Sequence, residues 1–231
     1  MGSLYTQHFA DRGGMVGGRR FELVYHGELA GMSNTRPLFA ALVKGLVSSI
    51  SDLGGRDVNI VNASLISKER GIAIDEKHVR NGGTVPTYAS AVTLRSLKID
   101  DGAGQAGEQI IEGYVSGNAV FISKLDRFRA NFQPEGTLLV LHNYDEPGKI
   151  GNVGMVLGKH GVNINFMQVA ALEDGAGPSI VAPVVDGPVE TAGPAAKEAL
   201  MILGVAGDVT EGLLSELNQS EGILHLSLVK L

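Results

Sequence analysis

The chain contains no cysteine and no tryptophan. Without thiols it has no disulfide frame, no thiolate nucleophile and no cysteine-ligated metal or iron-sulfur cluster, and nothing in it requires an oxidising compartment. Positive charge is also scarce: 19 Lys and Arg stand against 25 Asp and Glu, a formal net charge of −6. There is therefore no basic field to hold a nucleic acid, although small anions remain available as ligands. No stretch reaches the ~18 to 20 consecutive apolar residues of a membrane span, and the N-terminus lacks the apolar core of a secretory signal. The expected location is the cytoplasm, or an organelle stroma or matrix after loss of a targeting peptide.

What is present is glycine, 32 of 231 residues, with 44% hydrophobic and 19% charged residues. Glycine at that level without collagen periodicity points to short strands, tight turns and some linker, and the length suits two domains of ~100 residues. Residues 1–20, ending in the glycine-rich run from Gly13 to Arg20, read as a flexible lead-in outside the fold. Residues 21–25 read as a strand. From Pro37 onward, Leu38, Ala41, Leu42, Gly45, Leu46 and Ser49 recur at helical spacing, with Pro37 in the first turn. Residues 58–61 read as a β-branched strand that runs into Asn62 as N-cap of a short helix, with Gly71 as its left-handed stop. Near-alternating stretches at 72–75, 88–99, 109–115 and 120–132 complete a mainly antiparallel sheet.

Pro134 and Gly136 mark a hinge, so the expected domains are 21–133 and 134–231. In the second, strands are expected at 137–141, 162–166, 199–205 and 222–230, with helices at 147–160 and 209–218. That order, βαββαβ, is ferredoxin-like, and the Gly/Ala/Pro-rich residues 173–194 read as a disordered insertion. The fold class is α+β: an intervening α/β domain with a mainly antiparallel sheet, then the ferredoxin-like domain.

Most chemical motifs dissolve on inspection. Gly102, Gly104 and Gly107 spell GxGxxG but fall between two expected strands, where a hairpin tip is the natural reading. The histidines, His8, His26, His78, His142, His160 and His225, offer no pair spaced for a metal on one helix face, so no metal site is expected. No serine sits in a strand-to-helix elbow, so no catalytic residue is expected either.

Two constellations remain. Alternation from Arg127 to Phe132 sends Phe128, Ala130 and Phe132 inward and leaves Arg127, Arg129 and Asn131 on the other face, close to Lys124. Lys124, Arg127 and Arg129 suit phosphate or carboxylate, with a solvated strand face as the plainer reading. The second constellation is Asn143 and Asp145 before the helix that follows Pro147, together with Asn163 at the next strand. The helix start offers N–H groups to a carboxylate, Asp145 meets an ammonium, and the two amides serve a hydroxyl or carboxylate. The plainer reading has Asp145 as a helix cap, Asn143 as an edge-strand residue and Asn163 as a turn residue.

The run Asp145-Glu146-Pro147-Gly148-Lys149-Ile150-Gly151, with Leu157-Gly158 and the stretch from Gly161 to Met167, resembles the ACT domain of D-3-phosphoglycerate dehydrogenases. Upstream, the run from Val58 to Ala63, Glu69-Arg70-Gly71, Thr35-Arg36-Pro37 and Pro134-Glu135-Gly136 resembles that family's intervening domain. The resemblance spans residues 21–231 apart from the insertion. It implies a parent enzyme that oxidises 3-phosphoglycerate with NAD in serine biosynthesis. It also implies an ACT domain that binds L-serine as feedback effector at a homodimer interface, with contacts falling on Asn143, Asp145 and Asn163, and a basic anion site near Lys124, Arg127 and Arg129.

The family's catalytic domains, which carry NAD, lie upstream of everything present here. The chain is thus expected to be a regulatory region, either truncated or separately encoded, with no cofactor of its own. Serine-sensitive relatives often place a larger ring side chain where Asn143 stands, which keeps open a structural dimerisation module that has lost its effector. An accessory part of an iron-sulfur serine dehydratase, whose regulatory domains are similar, is a third reading; this chain has no cysteine for a cluster.

Overall fold

The computed structural model describes residues 1–9, 19–48, 50–51, 53–80, 88–97, 109–172 and 197–231. The glycines at 13–18, Gly102, Gly104, Gly107 and the insertion at 173–194 lie outside them. The chain divides into two compact units. One is Met1–Asp126 with Ala130–Pro134 and Lys230–Leu231; the other is Arg127–Arg129 with Glu135–Val229.

The first unit opens with a helix where a lead-in was expected. Helix α1, Gly2–Phe9, places Leu4, Tyr5 and Phe9 fully out of solvent. Four-residue spacing stacks Leu4 with His8 and Tyr5 with Phe9 on one face, and the Tyr5 ring meets Phe21 edge-on at 5.0 Å. Phe21 belongs to β1, Arg20–Gly27, which is followed by a single 3-10 turn at Glu28–Gly31. Helices α2, Arg36–Val47, and α3, Ala63–Glu69, then lead to β2, Ala73–Val79. Pro37 lies in the first turn of α2 as expected.

Strands β3 (Ser90–Leu97), β4 (Gln109–Ser116), β5 (Ala119–Leu125) and β6 (Phe128–Phe132) complete a six-stranded sheet in the order β2-β1-β3-β4-β5-β6. Strand β1 pairs parallel with β2 and antiparallel with β3. Parallel neighbours require a crossover, and here α2 and α3 lie along it.

Two expectations fail in this unit. Residues 58–61 form no strand: Val58-Asn59-Ile60-Val61 is a loop, in which Asn59 Oδ1 accepts from the Val61 and Asn62 N–H groups and Asn62 Oδ1 accepts from Asn59 N. Asn62 does stand at the N-cap of α3, but its amide serves this loop and makes no capping bond. Side-chain amides that satisfy the local backbone compete with a sheet ladder, and here they win over β-branched propensity. Likewise the apolar stretch 120–132 is two strands, because Asp126 turns the chain with φ 56°.

In the second unit the order is β7 (Thr137–Tyr144), α4 (Lys149–Lys159), β8 (Asn163–Ala171), β9 (Glu198–Ala206), α5 (Glu211–Asn218), β10 (Ile223–Lys230). The sheet runs β10-β7-β9-β8, with β9 antiparallel to both neighbours. This is the expected ferredoxin-like arrangement, and the whole is α+β. Leu139 and Leu141 of β7, Met201, Leu203 and Val205 of β9, Val153 and Leu157 of α4, and Leu213 and Leu217 of α5 form its core. Each such side chain is worth ~1.5 to 3 kcal/mol of burial. Gly161 ends α4 with φ 68°, and Val162 N donates to Leu157 O behind it.

Candidate functional site

The end of β7 is fixed by main-chain bonds on both sides. Tyr144 N donates to Gly222 O at 3.0 Å and Asp145 N to Lys197 O at 2.7 Å. Period-two alternation puts Asn143 on the same face as Leu139 and Leu141, the face that packs α4 and α5. Asn143 is 2% exposed. Its Nδ2 donates to Tyr144 O at 2.7 Å, which orients the amide, and its buried Oδ1 has no hydrogen-bond partner. An unmet buried acceptor costs ~1 to 3 kcal/mol, and a donor reaching it would recover that cost.

Helix α4 begins beside it without a side-chain cap. Gly148 occupies the N-cap in the left-handed region, φ 90°, so Asp145 does not cap the helix. Its carboxylate stands exposed. Glu146 is held by Lys149, Nζ to Oε2 at 3.1 Å, and the same Nζ donates to Glu221 O at 2.8 Å. Lys149 lies so close over Gly222 that a side chain there would strike it. The β7–α4 turn therefore gathers a free carboxylate, a buried acceptor and the first N–H groups of an 11-residue helix, a complement to the ammonium and carboxylate of an amino acid.

Asn163 does not join them within one protomer. It pairs with Ala206 at the far end of β9, whereas Asn143 pairs with Ala199. Seven residues of strand separate the two rows, about 23 Å. Asn163 is exposed and donates to Asn165 Oδ1 at 3.2 Å.

The expected anion residues are divided too. Arg129 is exposed on β6, whose alternation buries Phe128, Ala130 and Phe132 as anticipated. Lys124 lies on β5 in register with Glu112 of β4. Arg127 donates to Glu198 Oε2 at 2.7 Å, with the glutamate side chain 5% exposed, and its guanidinium sits 5.8 Å from the Phe128 ring centre. Glu198 escaped the sequence reading, although a carboxylate opening the apolar run of β9 is a visible signal. An incoming anion at Arg127 competes with that carboxylate. Lys124 and Arg129 fall in different units.

A polar line also crosses the first sheet. Ser123 Oγ donates to Glu112 Oε1 at 2.8 Å and Thr93 Oγ1 reaches Glu112 Oε2 at 3.5 Å. His26 Nε2 lies 3.0 Å from Thr93 Oγ1, which brings the imidazole into the same line. Burial lowers the His26 pKa below its ordinary value, against the pull of Glu112 and with the help of Arg95.

Among the described residues there is no cluster of three or more His, Asp or Glu placed to hold a metal, and no helix long and apolar enough to cross a membrane. The described strand-to-helix turn at β7–α4 carries Pro147 and a single glycine, which does not fit a dinucleotide pyrophosphate.

Residues 1–118 match the family model of the D-3-phosphoglycerate dehydrogenase intervening domain. The chain belongs to this family. Its match begins at residue 1, in keeping with α1 being part of the folded domain. The D-3-phosphoglycerate dehydrogenase of Synechocystis is 32% identical over 222 residues, 95% of this chain and 34% of that protein. That of Methanocaldococcus jannaschii is 29% identical over 212 residues, 92% of this chain and 34% of its own. The chloroplastic D-3-phosphoglycerate dehydrogenase 3 of Arabidopsis thaliana is 30% identical over 146 residues, 62% of this chain and 24% of its own. The chain thus spans about a third of the length of the first two and a quarter of the third. These similarities mark it as a C-terminal regulatory region of the D-3-phosphoglycerate dehydrogenase type.

Proposed function

We propose that the chain regulates and assembles a D-3-phosphoglycerate dehydrogenase of serine biosynthesis, with its second unit acting as an ACT domain that takes L-serine as feedback effector. The observation that carries this reading is the buried, unpartnered Oδ1 of Asn143 beside the uncapped start of α4. Asp145 receives the ammonium, the helix N–H groups receive the carboxylate, and Asn143 Oδ1 accepts from the hydroxyl or the ammonium. A coupling of ~1 to 3 kcal/mol to the catalytic part would give useful inhibition.

The distance of Asn163 from the other two supports a site shared by two protomers. Strand β8 is a sheet edge. Antiparallel pairing of β8 with its copy brings Asn163 of one protomer against the Ala171 end of the other. From there the row Ala171, Ala199, Asn143 crosses to β7. Two such sites then form about one two-fold axis.

Isothermal titration of L-serine into the purified chain, with glycine and L-alanine as controls, tests the reading. The expected result is saturable heat for serine that Asp145→Ala abolishes while the oligomer mass holds. Silence up to millimolar serine in a folded dimer would instead establish a structural module, the reading to which the amide at position 143 also lends itself.

A further inference from the structure

We propose that the 58–62 loop and the groove beside it in the first unit form a self-complementary interface that joins two copies of this chain. The loop displays apolar side chains to water, Val61 at 93% exposed and Ile60 at 51%, and Leu65 of the adjoining α3 is 59% exposed. It does so rigidly. Asn59 Oδ1 accepts from Val61 N at 2.8 Å and Asn62 N at 3.1 Å, Asn62 Oδ1 accepts from Asn59 N at 2.7 Å, and Asn62 Nδ2 donates to Asp57 O at 2.8 Å. Both amides are turned onto the backbone, so two β-branched residues are held outward in a fixed conformation with little ordering entropy left to lose on association.

Directly beside this knob is a groove of about 480 Å³, lined by Ala40, Ala41 and Lys44 of α2 and by the loop itself. Gly55 sets its geometry. With φ 72° it turns the chain where an added Cβ would come within 2.6 Å of Lys44 O, so only glycine lets the turn lie against α2.

A knob and a groove on one patch satisfy a two-fold operation, in which each copy's Val61 enters the other's groove. Charge favours the same arrangement. Lys44 stands on the groove wall and Asp57 at the base of the knob, both exposed and of opposite sign, so the two-fold sets each lysine toward the partner's aspartate. A rigid apolar knob of this size is otherwise an aggregation liability.

The absence of cysteine makes the test direct. Chains carrying Val61→Cys and chains carrying Ala41→Cys are mixed under mild oxidation, with Met155→Cys, on an exposed position of α4, as the control for random collision. The expected product is a mixed 61–41 covalent dimer, several-fold above either single variant alone and above the control pairings. Val61→Asp should halve the sedimenting mass with an unchanged far-ultraviolet circular dichroism spectrum. Cross-linking of the mixture at the control level, or an unchanged mass for Val61→Asp, overturns the proposal. Serine titration of Val61→Asp keeps the two readings apart: this interface stands or falls whether or not that variant still binds serine through its second unit.

Discussion

Gly2 and Gly45 touch where α1 crosses α2. A Cβ built on Gly45 would lie 2.9 Å from Gly2 Cα and 2.7 Å from Ser3 N, and one on Gly2 would lie 2.5 Å from Leu42 O. Two backbones meet there with no side chain between them.

Gly45→Ala should therefore destabilise the first unit by ~1 to 3 kcal/mol, because the strain of overpacking exceeds the ~1 kcal/mol that alanine gains over glycine within a helix. Gly154→Ala in α4 is the matched control. Outside the backbone of its own helix no atom lies within 4 Å of its added Cβ, so propensity alone acts and stability should rise by ~0.5 to 1 kcal/mol. Urea unfolding followed by circular dichroism reads both. A stabilising Gly45→Ala would mean that α1 does not rest on α2.

Asn143→Leu separates folding from recognition. Removing a buried acceptor that has no partner relieves its desolvation cost, so the unfolding free energy of the free chain should hold or rise, by ~0 to 2 kcal/mol, even though the bond to Tyr144 O is lost. Serine heat in the titration should vanish at the same time. A loss of several kcal/mol would show that the amide is a structural bond and not a receptor.

The histidine on the first sheet sets a pH window. Burial depresses the folded His26 pKa below its ordinary value near 6.5, so as pH falls the unfolded chain binds this proton first. Stability linked to His26 is fully present above pH ~6.5, declines as pH drops below that value, and stops changing below the folded pKa. His26→Gln should flatten that part of the stability curve while leaving stability at pH 8 little altered. Chemical denaturation from pH 8 to 4 measures it. An equal slope in the variant would assign the acid sensitivity to other groups.

The legible parts of the fold were those with one strong periodicity. Val153 and Leu157 of α4, Leu213 and Leu217 of α5, and the apolar strand β9 announce the second unit unaided. Helix α1 was concealed by its polar members, Ser3, Thr6 and Gln7, and by the glycines that follow it; the pairs Leu4 with His8 and Tyr5 with Phe9 were present but short. The run Val58 to Val61 misled for a different reason, since β-branched propensity is the same in a strand and in a loop clamped by asparagines. At the candidate site, Asn143 and Asp145 were readable from the turn that follows β7. Neither the burial of Oδ1 nor the pairing of Arg127 with Glu198 was, because both arise from strands far apart in sequence.

The placing of β1 has a consequence for how the chain reaches this state. β1 lies inside its sheet, between β2 and β3, so both of its ladders close over long stretches of chain, to Ala73–Val79 on one side and Ser90–Leu97 on the other. No local hairpin can nucleate it. During synthesis the segment that carries Phe21, Leu23 and Tyr25 keeps its apolar face open until the chain has grown past Leu97, an interval of exposed hydrophobic surface that a hairpin strand does not have.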